Sequence, residues 1–537
     1  MWVQKCTSAY PFGEYRLWIL PFLLSSIDAL RILVLFPVNA RSHSILGQGV
    51  VTHLLKAGHE VVHVTAFPRE KKEAKLTELD VSHIGKPPKE YAEKFEAFKL
   101  KNLVGKTNVA DSLFFMQLIY DVNKRLLEDK TIVEMLSNPK EKFDVVVLEW
   151  FFSEIIAGIA PLFQCPLVWV ATTEAHPLVL KVVDEIPNPA YSVDLFSTYR
   201  PPLSFVERVS ELWALVRKWQ ILISTIMIPT IFKAVYNNVF PAIAAKRGVT
   251  VPSYDEAVYN GSLLLINSHP SIGTPFKLPQ NAKYIAGYHV DEKPQPLPKD
   301  LQKLMDDSKQ GVIYFSMGSN LKSADMTDDM KQSMLDMFSK LKETVIWKFE
   351  GEMEKVPANV HFVKWAPQQS ILAHPNIKIF ITHGGQLSTT ESIHYGVPVI
   401  GIPVLGDQHI NMKSVVEKGF GIKVDLVENL AELLKSALTE MLQNPSYKNK
   451  AKEISQIFHD RTIKPGDELV FWVEHVVRTK GAAHLRSPAL HVPLYQKLFL
   501  DLLAIIVASI VVLIYLLKVL VRKLRNRPAK SIKKKLN

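Results

Sequence analysis

The residues best equipped for chemistry lie at 381–391, ITHGGQLSTTE. An apolar run over 377–382 stops at His383-Gly384-Gly385, and Ser388 and Glu391 follow at helical spacing. A strand that ends in two glycines and feeds a helix beginning near Ser388 brings unpaired backbone N–H groups and the positive end of a helix dipole together. This predicts an anion site suited to phosphate: the glycines permit close approach, and His383 and the Ser388 hydroxyl add donors. Glu391 lies one turn further along the same helix face, where a carboxylate repels phosphate but accepts bonds from ribose hydroxyls. The combination suits a nucleotide.

Ligands of open parallel sheets bind outside the carboxyl ends of the strands, which extends the candidate set. After the run GVIYFSMGS that rule selects Ser316, Gly318 and Ser319. Following HFVKWAP it selects Trp365, a flat surface for a base, and Gln368, an amide for the base edge or ribose. Beyond VPVIGIPV come Asp407 and Gln408. In the first half of the chain the candidates are His43, on the loop after RILVLFP, and Glu149, closing FDVVVLE.

Those positions require strands to hold them, and the pattern supplies them. RILVLFP, a helical stretch over 45–57 stopped by Gly58, and EVVHVTAFP form a β-α-β unit of a parallel sheet. FDVVVLE and PLVWVAT continue it. The polar, proline-rich HVDEKPQPLPK over 289–299 reads as a linker. Five more strand signals follow: GVIYFSMGS, TVIWKFEG, HFVKWAP, IKIFITHGG and VPVIGIPV. The expected fold class is α/β, with two doubly wound domains. An apolar stretch, ILISTIMIPTI, is too short to span a membrane and contains Pro229, so it suits core packing or contact with a membrane surface.

Composition removes several classes. The net charge of +11 invites a nucleic-acid reading, but 8 of the 64 Lys and Arg follow Val521 with no acid among them; 56 then face 53 acids, so the body is near neutral. No nucleic-acid partner is expected. There is no Walker A sequence, and the nearest dinucleotide fingerprint, Gly47-Gln48-Gly49-Val50-Val51-Thr52, lies inside a helix and lacks its third glycine. No Cys/His cluster has metal-ligand spacing, so no metal is expected.

Residues 499–521, FLDLLAIIVASIVVLIYLLKVLV, are long enough to cross a bilayer and are followed at once by the basic run. The positive-inside rule puts that tail in the cytosol and residues before 499 across the membrane. An export signal is expected at 1–29, where LWILPFLL is flanked by Lys5 and Arg16 and followed by small residues. Its removal leaves Cys165 as the one cysteine, with no disulfide within the chain. The sequon Asn260-Gly261-Ser262 fits a lumenal body.

The span FITHGGQLSTTESIHYGVPVIGIPVLGDQ, 380–408, resembles the signature of the membrane-bound animal, and more narrowly invertebrate, UDP-glycosyltransferases. FSMGS, WKFEG, WAPQ, the stretch HDRTIKPGDELVFWVEHVVRTKGAAHLR and the terminal Lys534-Lys535-Leu536-Asn537 are similar to that branch too. The resemblance implies the GT-B architecture: two facing Rossmann-like domains, an acceptor-binding one at 30–288 and a donor-binding one with return helices at 300–498. The membrane helix at 499–521 and the tail at 522–537 would follow. It implies that Trp365 stacks on uracil, that Gln368 bonds the uridine and Glu391 the ribose. Ser319, His383, Gly385 and Ser388 would hold the diphosphate, and Asp407 and Gln408 the sugar. It further implies a dilysine retrieval signal of the endoplasmic reticulum.

The implied reaction is transfer of a hexose from a UDP-sugar, a co-substrate, to a hydroxyl of a small lipophilic acceptor, with no cofactor. Detoxification or the processing of hormones, pigments or plant compounds is the expected setting. An imidazole titrates near neutral pH and suits His43 as general base, with Glu149 orienting it; attack opposite UDP inverts the anomeric centre. Many relatives carry aspartate where this chain has Glu149, which leaves open a donor-binding member with little turnover that partners others in hetero-oligomers. UDP-glucose is the first choice of donor and UDP-glucuronic acid the alternative, and homo- or hetero-oligomers are both open.

Overall fold

The computed structural model describes residues 29–85, 91–106, 112–183, 193, 197, 199, 203–213, 227–273, 276–488 and 492–526. All but the last residue of the expected export signal at 1–29, the tail carrying the expected dilysine signal and most of 184–226 lie outside the described residues.

The first domain is built on β1 (Arg31–Phe36), β2 (Glu60–Thr65), β3 (Leu76–Asp80), β4 (Val145–Trp150), β5 (Leu167–Ala171), β6 (Leu263–Ile266) and β7 (Ala282–Tyr284). They form one sheet in the order β3-β2-β1-β4-β5-β6-β7, parallel at every pairing. The second carries β8 (Val312–Ser316), β9 (Thr344–Lys348), β10 (Val360–Val363), β11 (Ile377–Thr382), β12 (Val399–Gly401) and β13 (Gly421–Lys423), again parallel, in the order β10-β9-β8-β11-β12-β13. Parallel strands are covered by helices on both faces, which is why β1, β4 and β8 read as nearly continuous apolar runs. Alternate residues of β1 serve different cores: Leu33 and Leu35 pack with Val146, Leu148 and Trp169, whereas Ile32, Val34 and Phe36 pack with Val50, Val51 and Leu54.

Every strand read from the sequence is present. Four more were missed: β3, β6, β7 and β13. All but β6 are edge strands and are short or half-exposed, so they lack the continuous apolar signal of the central strands.

The first helix runs Arg41–Lys56, so it starts four residues before the expected 45. His43 therefore sits in its first turn and not in a preceding loop; the polar ARSH stretch concealed the start because Ala40 offers no side-chain cap.

The chain crosses back after the second sheet. Helix Pro465–Arg478 lays Leu469, Val473 and Val476 into the first domain's core beside Val50 and Leu54. Gly466 makes that contact close: a Cβ there would lie 1.9 Å from the His53 ring. A short segment also crosses the other way, with Leu100 and Leu103 buried among Met317, Leu321 and Met326. The helix Leu500–Arg525 is apolar and long enough to span a membrane and buries none of its residues in the body. It starts one residue after the expected 499 and extends past 521.

Candidate active site

Between the domains lies a cleft of about 930 Å³, lined from both sides. His43, Ser316, Gly318, Ser319, Trp365, Gln368, His383, Gly385, Ser388, Glu391, Asp407 and Gln408 all reach its wall. Two of the expected residues do not. Glu149 lies buried beneath the surface, and Gly384 packs behind it on Met412. Asn260 is elsewhere, exposed at the end of helix Tyr254–Tyr259, where its Oδ1 accepts from Arg486 Nη1 at 2.6 Å.

On the first domain, β4 ends at Glu149-Trp150 beside the start of helix Arg41–Lys56, because β1 and β4 pair in register from Ile32–Val145 to Leu35–Leu148. His43 Nδ1 meets Glu149 Oε1 directly, and the other carboxylate oxygen is buried without a partner. A carboxylate only accepts, so Nδ1 carries the proton and Nε2 is left as the basic nitrogen. The Phe151 ring meets His43 edge-on at 4.4 Å between centroids. Phe151, Phe152, Phe95, Leu118, Ile119 and Val122 make this side of the cleft apolar. Thr172 and Thr173, just after β5, also reach the cleft.

On the second domain, helix Gln386–Tyr395 begins directly after β11, with Gly385 as its N-cap and no side-chain cap. Apart from the Gln386 N–H, which faces the Asp407 carboxylate, its first N–H groups are thus left for a ligand. Gly384 has φ +79°, and a Cβ there would sit 2.5 Å from Met412 Cγ, so both the turn and the packing require glycine. Gly318 has φ +84°, and its missing Cβ leaves room for the His383 ring. Burial lowers the His383 imidazole to about 4, so it enters neutral solution as a hydrogen-bonding group and not as a cation.

Glu391 is buried, and burial raises its carboxyl to about 7. Its oxygens accept from Gln368 Nε2 at 2.5 Å and Gln369 Nε2 at 3.0 Å. Gln368 also donates to Ser388 Oγ at 3.1 Å and accepts from the Tyr314 hydroxyl at 3.3 Å, so its amide is engaged by protein groups. Trp365 is 58% exposed, open for stacking. Asp407 is raised by burial and accepts from Asn411 Nδ2 at 2.8 Å. Gln408 Oε1 accepts from the Val404 and Leu405 amides at 2.8 and 2.9 Å, which leaves its NH₂ group for a ligand.

Three contributors were missed. Asn411, one turn after Asp407, also donates to Gly384 O at 3.1 Å and so joins the two turns; its i+4 spacing was the available signal. Gln369 fell within the strand-end stretch 365–369 but was given no role of its own. Lys348, at the carboxyl end of β9, lines the cleft and satisfied the strand-end rule already in use. Among the described residues no three His, Cys, Asp or Glu side chains are placed to hold a metal ion.

Two parallel α/β sheets facing across a cleft, with an uncapped helix N-terminus on one wall and a His–Glu pair on the other, define a GT-B glycosyltransferase. Solved structures agree on the fold: the calicheamicin glycosyltransferase CalG4 is 15% identical, with a TM-score of 0.53 over 84% of this chain and 99% of that one. The forosaminyltransferase SpnP gives 0.51 at 17% identity, over 84% of this chain and 99% of that one.

Sequence gives the family. The family described as UDP-glucoronosyl and UDP-glucosyl transferase matches residues 31–535, and the chain belongs to it. UDP-glucosyltransferase 2 of Dactylopius coccus is 32% identical over 95% of this chain and 97% of its own length. UDP-glucuronosyltransferase 2B15 of Rattus norvegicus is 29% identical over 87% and 88%. The protein is a UDP-glycosyltransferase.

Proposed function

We propose that the protein transfers glucose from UDP-glucose to a hydroxyl of a small lipophilic acceptor, with inversion at the anomeric carbon. The observation that carries the reading is the His43–Glu149 pair at the meeting of an apolar half-cleft and a polar one. His43 Nε2 takes the acceptor proton as the acceptor oxygen attacks C1. The C1–O bond to the β-phosphate breaks, and its electron pair leaves with UDP. Glu149 holds the imidazole in the required tautomer and stabilises the imidazolium.

The donor would lie on the second domain: uracil on Trp365, ribose on Glu391, the diphosphate on Ser319, His383, Gly385 and Ser388, and the sugar on Asp407 and Gln408. No cofactor or metal enters this scheme. Glucose is favoured over glucuronate by the insect glucosyltransferase among the relatives. The direct contact from Glu149 to His43 favours turnover over a donor-binding role alone.

In the same reading the body is lumenal in the endoplasmic reticulum, anchored by Leu500–Arg525 with a short cytosolic tail, glycosylated at Asn260, and active in detoxification. Support comes from the one helix among the described residues that is long and apolar enough to cross a membrane, and from the one-sided basic run after it.

Microsomes carrying the full chain, incubated with phenols and flavonoids and with UDP-glucose or UDP-glucuronic acid in turn, test it by mass of the conjugates. Glucosides that vanish in His43→Ala are expected. Glucuronides alone would overturn the donor assignment, and conjugates that survive in His43→Ala would overturn the base.

A further inference from the structure

A UDP-sugar brings two phosphate charges into the cleft, and another grows on the β-phosphate as the C1–O bond breaks. The groups so far placed there meet that charge only with dipoles. The N-terminus of helix Gln386–Tyr395 and the serine hydroxyls carry no full charge, His383 is neutral at pH 7, and Glu391 and Asp407 are acids.

Three lysines line the cleft. Lys322 is exposed, and Lys99 is half-buried and paired with Glu96 at 2.7 Å. Lys348 differs: its side chain is 8% exposed and its ammonium is fixed from two sides. Nζ donates to Gly318 O at 3.0 Å and to Glu350 Oε1 at 2.5 Å, and it lies 5.7 Å from the centre of the Trp365 ring. Gly318 is the residue whose missing Cβ admits the His383 ring, and the charge of Lys348 helps to depress the His383 imidazole. The ammonium therefore sits where the Gly318 turn, His383 and the base platform meet. An ammonium has three N–H groups; two have partners here, and the third has none among the described residues.

We propose that Lys348 is the cation of the donor site, binding the diphosphate of the UDP-sugar and stabilising the charge on UDP as it departs. The proposal rests on the donor-site reading above. No proton leaves Lys348: the acceptor proton goes to His43 and the bond's electrons to the β-phosphate oxygen. Glu350 holds the ammonium in position and moderates its field, so that product UDP is not bound too tightly to leave. A charge held close to a phosphate by a buried side chain acts more strongly than the same charge in bulk water.

Calorimetric titration of the detergent-solubilised full chain with uridine and with UDP separates charge from scaffold. In Lys348→Met, UDP is expected to weaken at least tenfold while uridine stays within twofold, and Lys348→Arg is expected to recover most of the loss. Equal weakening of both ligands, or no change in either, would overturn the proposal. Where Lys348→Met has no cooperative melt, Glu350→Gln replaces it: freeing the ammonium should tighten UDP about threefold and leave uridine unchanged, and a parallel shift or no gain in UDP counts against the proposal. Wild-type protein that binds neither ligand, or UDP binding untouched by Trp365→Ala, would sink the donor site itself, and the role of Lys348 with it.

Discussion

His43 Nδ1 and Glu149 Oε1 are in direct contact across the junction of the first helix and β4, with the carboxylate buried and the imidazole at the cleft wall. The glutamate side chain thus reaches the imidazole directly from the strand end.

Glu149→Gln is expected to lower kcat by about 10²- to 10⁴-fold with little change in donor KM, because the amide permits the wrong tautomer and cannot stabilise the imidazolium. Glu149→Asp shortens the reach by one methylene and is expected to lower kcat about tenfold instead of raising it. Steady-state kinetics of both variants decide; a faster aspartate variant would show that the glutamate contact is unproductive.

Glu391 gives a pH signature in stability. Folding raises its carboxyl from 4.5 to about 7, so the folded chain holds that proton more tightly than the unfolded one. The associated stability is complete below about pH 4.5 and is lost as pH rises through about 7. Glu391→Gln, which cannot ionise, should gain up to ~3 kcal/mol over wild type at pH 8 and nothing from this source at pH 4.5. Ligand-free melting curves at both pH values test it, and a gap that does not grow with pH rules the assignment out.

Gln369 ties Glu391 in the cleft to the chain at 289–291. Its Nε2 donates to Glu391 Oε1 at 3.0 Å and His289 O at 3.3 Å, and its Oε1 accepts from Asp291 N at 2.9 Å. Gln369→Leu leaves these groups unpaired and lets the carboxylate rotate, so donor KM should rise about tenfold while kcat falls less. An unchanged KM would mean that Gln368 alone holds the carboxylate.

Two glycines with positive φ separate backbone strain from crowding. Gly58→Ala, at φ +94° with nothing within 4 Å, should cost about 1–2 kcal/mol from backbone strain alone. Gly384→Ala adds the collision with Met412, and roughly 1–3 kcal/mol more is expected. Denaturant midpoints in that order support the reading, and equal midpoints would mean that Met412 moves aside freely.

Sequence by itself determined the central strands, the two parallel sheets and most of the second domain's wall of the cleft. Buried parallel strands are continuous apolar runs, and ligands sit at their carboxyl ends, so 381–391, Trp365 and Asp407 announced themselves within a few residues of a legible strand. The apolar helix at the C-terminus was legible for the same local reason. Only the tertiary structure decided what depends on chain segments far apart. It set Glu149 against His43 across 106 positions, returned helix Pro465–Arg478 to the first domain, and turned the strand residue Lys348 into a cleft cation beside Gly318. It also showed that Gln368 faces protein partners and that Gly384 serves packing rather than the cleft wall. Spacing along a chain reports which face of an element a side chain occupies; which other element meets that face is fixed by packing.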